Sequence, residues 1–336
     1  MAAVMLLCAA PLASATGRTT DGAADGHPPV RGAAPLYVSD YADNDVLRVP
    51  PGGGEPTTVA ATGLTRPTGM VLDASGDLYI ADTGNNRVVR LPGDGGPQTV
   101  VPTTDLSRPI GLALDTAGTL YISDSFNDRV VKIPADGSGQ VTVPTTGLLH
   151  PNGLALDGAG NLFIADFVND RVVRIPADGG PQTTVPTSGL SQPTGLAFDR
   201  HGDLFVSDSG NDRVVVLPAG GGPQRTAPVT GLNSPYGLAF DPESTVYVAG
   251  FNNDRVVKLP MRGGQRTLPV AGLHAPAGLA VPQPGRATPT EGFYGAVTVR
   301  SPRRGEANAS RSARVRPVSR ATSAVSSAPQ SMPRSR

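Results

Sequence analysis

Acidic and basic side chains recur along this chain at a fixed interval. Aspartates stand at Asp40, Asp82, Asp124, Asp166 and Asp208, 42 residues apart, and Gly250 fills the sixth slot. Arginines stand at Arg87, Arg129, Arg171, Arg213 and Arg255 with the same step, and Asp45 fills their first slot. Carboxylates and guanidinium groups repeated in this way suit a structural belt of ion pairs better than catalysis, which needs one asymmetric constellation. The two exceptions bear on how the pairs run. If each Asp paired with the Arg of its own repeat, two repeats would each hold an orphan charge. If each paired with the next repeat, Asp40–Arg87, Asp82–Arg129, Asp124–Arg171, Asp166–Arg213 and Asp208–Arg255 would be whole, and Gly250 with Asp45 would have lost both partners together. Losing one partner of a buried pair is costly, so joint loss favours pairing between repeats.

Other reactive groups are sparse. Glu occurs only at Glu55, Glu243, Glu291 and Glu306, and His only at His27, His150, His201 and His274. None of these falls at a metal-ligand spacing, so no metal and no cofactor is expected. Ser and Thr are plentiful, but no nucleophile motif accompanies them. The one cysteine, Cys8, leaves no internal disulfide.

The elements that carry these residues follow from the repeat. The unit is clearest from Pro109 to His150. P-I-G-L-A-L-D reads as a strand and T-A-G as a turn. L-Y-I-S-D is a second strand, S-F-N-D a turn, R-V-V-K-I-P a third strand and V-T-V-P a fourth. Four short antiparallel strands in about 40 residues make a propeller blade. The P-x-G opening occurs six times, at Pro67, Pro109, Pro151, Pro193, Pro235 and Pro276. The first second-strand signal, Leu36–Asp40, has no P-x-G strand before it, and the last P-x-G strand, Pro276–Val281, has no partners after it. One blade is therefore shared by the two ends of the repeat region, which closes the ring and leaves no open sheet edge. The expected fold is all-β, a six-bladed β-propeller over residues 35–282.

The flanks differ from this body. Residues 1–15 read as a signal peptide cut after Ala15, and 16–34 as a disordered linker. Residues 283–336 hold ten Arg and two acids, net +8, against 18 basic and 26 acidic residues, net −8, before them. That basic tail is expected to be disordered and to suit an anionic cell-wall polymer. No nucleic-acid motif occurs, and no apolar run reaches the roughly 20 residues of a membrane span. A secreted or extracytoplasmic monomer is expected.

In this order, P-x-G-L-A-L-D, L-Y-I-A-D and N-D-R-V-V-K resemble the NHL repeat. The arrangement is similar to the extracytoplasmic sensor propeller of actinobacterial receptor Ser/Thr protein kinases of the D type. The resemblance covers about Leu36–Val281 and implies the fold and a binding role. No Gly-rich loop, H-R-D or D-F-G is present, so it carries no kinase activity.

In a propeller the first strands line the channel, and the loops before them share one face with the turns between strands two and three. Two rings of variable residues fall on that face within an almost constant frame. One is Thr68, Ile110, Asn152, Thr194, Tyr236 and Ala277. The other is Tyr41, Thr83, Ser125, Phe167, Ser209 and Phe251. They are the candidate surface for a protein, peptide or cell-envelope ligand, with Tyr41, Phe167, Tyr236 and Phe251 as anchors. The alternative reading is a metal-dependent hydrolase or lyase, like the gluconolactonase-type and streptogramin-lyase propellers. Of the residues here only Asn152, in P-N-G-L-A-L-D, resembles a lactonase metal ligand.

Overall fold

The computed structural model describes residues 34–260 and 263–282. The leader, the basic tail and all but the last residue of the linker lie outside them. Six four-stranded antiparallel sheets form the blades of a β-propeller. Blade 1 joins Pro276–Ala280 to Leu36–Asp40, Asp45–Val49 and Thr57–Thr58, so both ends of the repeat region meet in one sheet as the offset count requires. Blades 2 to 6 begin at the strands Pro67–Leu72, Pro109–Leu114, Pro151–Leu156, Pro193–Phe198 and Pro235–Phe240. No helix among the described residues is long and apolar enough to cross a membrane.

The second and third strands build the core and are buried on both faces. Ile80, Ile122 and Ile164 are fully buried, as are the paired valines of the third strands such as Val130 and Val131. β-branched residues suit a pleated surface covered on both faces. The core lies between blades rather than within them. Ala113, Val130 and Val143 of blade 3 pack with Leu154, Ile164 and Val173 of blade 4 in one cluster. Each blade thus covers its neighbour's apolar face, and no single repeat could stand alone. The outer strands are shorter than the V-T-V-P pattern suggests. In blade 3 the strand is Val141–Thr142, with one further bond from the Val143 amide to the Val130 carbonyl. Pro144 then offers no N–H to extend the ladder.

The ion pairs run within blades, which corrects the expected inter-blade belt. The bonds are Arg87 to Asp82, Arg129 to Asp124, Arg171 to Asp166 and Arg213 to Asp208, each 2.6–2.7 Å from Nε to Oδ2. The physical reason is the hairpin. Asp82 and Arg87 are cross-strand partners at its closed end, so the short path lies inside the blade. By the same register Asp40 faces Asp45, and Gly250 faces Arg255.

Another set of contacts ties blade to blade. The residue ending each three-residue turn is Asn44, Asn86, Asp128, Asp170, Asp212 or Asp254, each left-handed with φ of 51–61°. Asn and Asp tolerate that conformation better than other residues with a β-carbon. Their Oδ1 atoms accept the backbone amides of Arg66, Arg108, His150, Gln192, Ser234 and Ala275 in the loop entering the next blade, at 2.7–2.8 Å.

Glycine explains the constancy of P-x-G. A β-carbon on Gly69, Gly111, Gly153, Gly195, Gly237 or Gly278 would lie 2.0–2.3 Å from the carbonyl oxygen of the x residue in the next blade. Six backbones meet around the axis at a distance that only glycine permits.

Candidate functional site

Ile110, Asn152, Thr194, Tyr236 and Ala277 of the first sequence-derived ring line one central cavity, and the Ser, Thr and Asn members of the two rings are buried. Thr83 Oγ1 donates to the Pro109 carbonyl at 2.6 Å, and the Thr68 hydroxyl has both Thr83 Oγ1, at 2.7 Å, and the Ile110 carbonyl, at 3.1 Å, as acceptors in reach. Thr194 Oγ1 donates to the Pro235 carbonyl at 2.9 Å. Ser125 and Ser209 are buried as well. These hydroxyls sit under the surface, and the threonines stitch inner strands to their neighbours.

The aromatic members separate into groups. Phe251 packs against both Tyr41 and Tyr236, with ring centroids 5.4 and 5.5 Å apart. Arg66 lies over the Tyr41 ring at 5.9 Å. The cluster joins blades 1 and 6, while Phe167 sits half-buried on blade 4. Across the channel, the Asn152 amide donates to the Tyr236 hydroxyl at 3.2 Å. Burial pushes the Tyr236 phenol up to about 12, with the Asn152 bond opposing and Tyr41 adding to the shift. The phenol therefore stays protonated at neutral pH. Beneath it a cavity of about 70 Å³ is lined by Met70, Leu112, Leu154, Leu196, Leu238 and Leu279 together with Asn152, Thr194 and the ring glycines. None of its lining residues carries a carboxylate or an imidazole. The channel thus offers an amide–phenol pair in an apolar setting.

Large exposed apolar side chains lie beside the expected rings. Phe126, Leu149 and Val168 are 42%, 40% and 49% exposed. They stand on adjoining loops. Phe126 packs at a tilt against His150, ring centroids 4.7 Å apart, Arg108 lies over Phe126 at 4.5 Å, and the Val168 amide bonds to the Leu149 carbonyl at 3.3 Å. Sequence reasoning passed over them, though a signal exists. The second residue of each turn reads Ala42, Gly84, Phe126, Val168, Gly210, Asn252. Only blades 3 and 4 place a large apolar residue there.

At the ring closure a third group forms. Asp40, fully buried, accepts the His274 amide at 2.8 Å, and the His274 Nδ1 lies 2.7 Å from Asp43 Oδ2. Burial pushes the Asp40 carboxyl up, and the charges of Asp43 and Asp45 add to the shift. Asp45 is also raised, by burial and then by Asp43.

With this geometry in view, comparisons with known proteins are informative about the fold. The NHL repeat family model matches residues 64–91 and 190–217, so NHL repeats are present in blades 2 and 5. No curated protein sequence matches the chain. Among solved structures, one titled as the nidogen/laminin complex is similar at 21% identity and a TM-score of 0.67, covering 75% of this chain and 99% of that one. A streptogramin B lyase is similar at 16% identity and a TM-score of 0.57, covering 74% and 83%. A virginiamycin B lyase from Staphylococcus aureus, catalytically inactive and holding quinupristin, is similar at 16% identity and a TM-score of 0.54, covering 74% and 89%. At these identities the likeness is one of fold alone.

Proposed function

We propose that the protein is an exported binding module that grips a protein or peptide segment of the cell envelope on its loop face, across blades 3 and 4. The observation that carries this reading is the set of exposed residues Phe126, Leu149 and Val168 on adjoining loops, with His150 against the Phe126 ring and Arg108 over it. An aromatic anchor with a guanidinium beside it is the composition of an interface centre. Three exposed large apolar residues placed together rarely serve the free protein alone. The resemblance to receptor-kinase sensor propellers and the fold likeness to a chain seen in the nidogen/laminin complex support a protein ligand. The leader-like first 15 residues support export.

A photo-crosslinking amino acid at position 126 or 168 tests this in full-length protein presented to envelope fractions. Discrete adducts are expected from these positions and not from position 100, where Val100 is equally exposed on an outer strand. Phe126→Ala is expected to weaken the captured interaction at least about tenfold, roughly 1.4 kcal/mol, without moving the melting temperature. Equal labelling from position 100, or none from 126 and 168, overturns the reading.

A further inference from the structure

Blade 1 lacks the cation that four other blades place beside the buried aspartate. In those blades the residue facing the Asp is an Arg bonded to it at 2.6–2.7 Å. Here the facing residue is Asp45, a second carboxylate. Its Oδ1 is buried and has no hydrogen-bond partner. Asp43 lies in the connecting turn, and His274 arrives in the loop before Pro276. One ligand atom from each of Asp40, Asp43 and His274 lies within 4.8 Å of the other two. Three carboxylates are thus drawn together at a point where the fold elsewhere supplies a guanidinium. A buried carboxylate without a compensating charge is costly, and each oxygen of Asp40 keeps a lone pair beyond its bond to a backbone amide.

We propose that this seam binds a divalent zinc-type cation through Asp40, Asp43 and His274, beside the further carboxylate of Asp45, whose negative charge adds to the attraction for a cation. The donor set selects the metal class. An imidazole nitrogen with carboxylate oxygens suits zinc and similar first-row ions, whereas calcium and magnesium prefer oxygen alone. Ligands around a tetrahedral zinc at ~2.0–2.1 Å stand roughly 3.3 Å apart, a spacing the half-exposed Asp43 and His274 side chains reach by small rotations. Asp40 and His274 are 234 residues apart in sequence and belong to the two segments that close the ring. A bound ion would therefore clasp the ends of the propeller.

Full-length protein stripped with EDTA and titrated with zinc chloride is expected to melt roughly 5–10 °C higher once the site is saturated about a hundredfold over its dissociation constant. Calcium chloride is expected to give no shift. Cobalt loading adds a direct readout, a visible absorption band that reports imidazole–carboxylate coordination. The double variant Asp43→Asn/His274→Gln, altered only at exposed side chains, is expected to fold and to lose both signals. Asp45→Arg restores the pairing of the other blades and is expected to raise the metal-free melting temperature and abolish the zinc response. An absent zinc shift in the wild type, or a shift of the same size in the double variant, overturns the proposal whether or not Asp45→Arg folds.

Discussion

Gly153→Ala lowers the melting temperature of the propeller by roughly 6–12 °C or prevents it from folding. The added β-carbon would lie 2.2 Å from the Thr194 carbonyl oxygen and 3.1 Å from Gly195 Cα and Leu196 N. All three obstacles are backbone, so no rotamer change relieves them. Blade 5 would have to retreat, and in a closed ring every other blade must move with it. Overpacking costs about 1–3 kcal/mol where side chains can yield. The upper end or beyond is expected here, at about 2–4 °C per kcal/mol for a domain of this size. Gly158→Ala is the control, since nothing lies within 4 Å of its added carbon. That variant is expected to be neutral, or more stable by about 0.4–1 kcal/mol through the unfolded state. Thermal unfolding of the two variants side by side checks the argument. A Gly153→Ala melting point within 2 °C of the wild type would mean that the inner strands have slack the geometry does not show.

The same ring shows what was readable beforehand. Constant P-x-G, short strands joined by tight turns and the 42-residue step of the aspartates specify the blade, and the offset between the first and last strands specifies how the ring closes. Side-chain pairing was not readable, because the repeat is compatible with Asp–Arg bonds inside or between blades. The joint absence at Gly250 and Asp45 pointed to the wrong rule. Those two residues are not partners of each other. Asp45 faces Asp40, and Gly250 faces Arg255. Variation among copies did not tell an outward-facing hydroxyl from one turned to a neighbouring carbonyl, as Thr68 and Thr194 are. The seam cluster was invisible for a simpler reason. His274 and Asp43 are 231 residues apart, and no spacing motif reaches that far.

Asp166→Ala lowers stability by about 2–3 kcal/mol, and the contrast with blade 6 explains why. The Asp166 carboxylate is fully buried and accepts three bonds, from the Leu149 amide at 2.8 Å, Asn169 Nδ2 at 2.9 Å and Arg171 Nε at 2.7 Å. Removing it strands a cation and an amide. Breaking a buried pair from one side costs about 3–5 kcal/mol. The Arg171 side chain is 30% exposed, so water recovers part of that cost. Blade 6 already lives with the loss. At Gly250 the space is taken by Asn253, whose Oδ1 would lie 2.1 Å from an added β-carbon, and Asn253 Oδ1 and Arg255 Nε are both buried without partners. Gly250 has φ −95° and ψ 93°, close to the φ −91° and ψ 81° of Asp166, so the backbone would accept an aspartate. Gly250→Asp, once Asn253 swings aside to bond it as Asn169 bonds Asp166, is expected to gain about 1–2 kcal/mol from charge-assisted hydrogen bonds. Melting temperatures should therefore move in opposite directions, down by roughly 4–12 °C for Asp166→Ala and up by roughly 2–8 °C for Gly250→Asp. If both stayed within a degree of the wild type, the repeated carboxylate would not be what locks each loop to its hairpin.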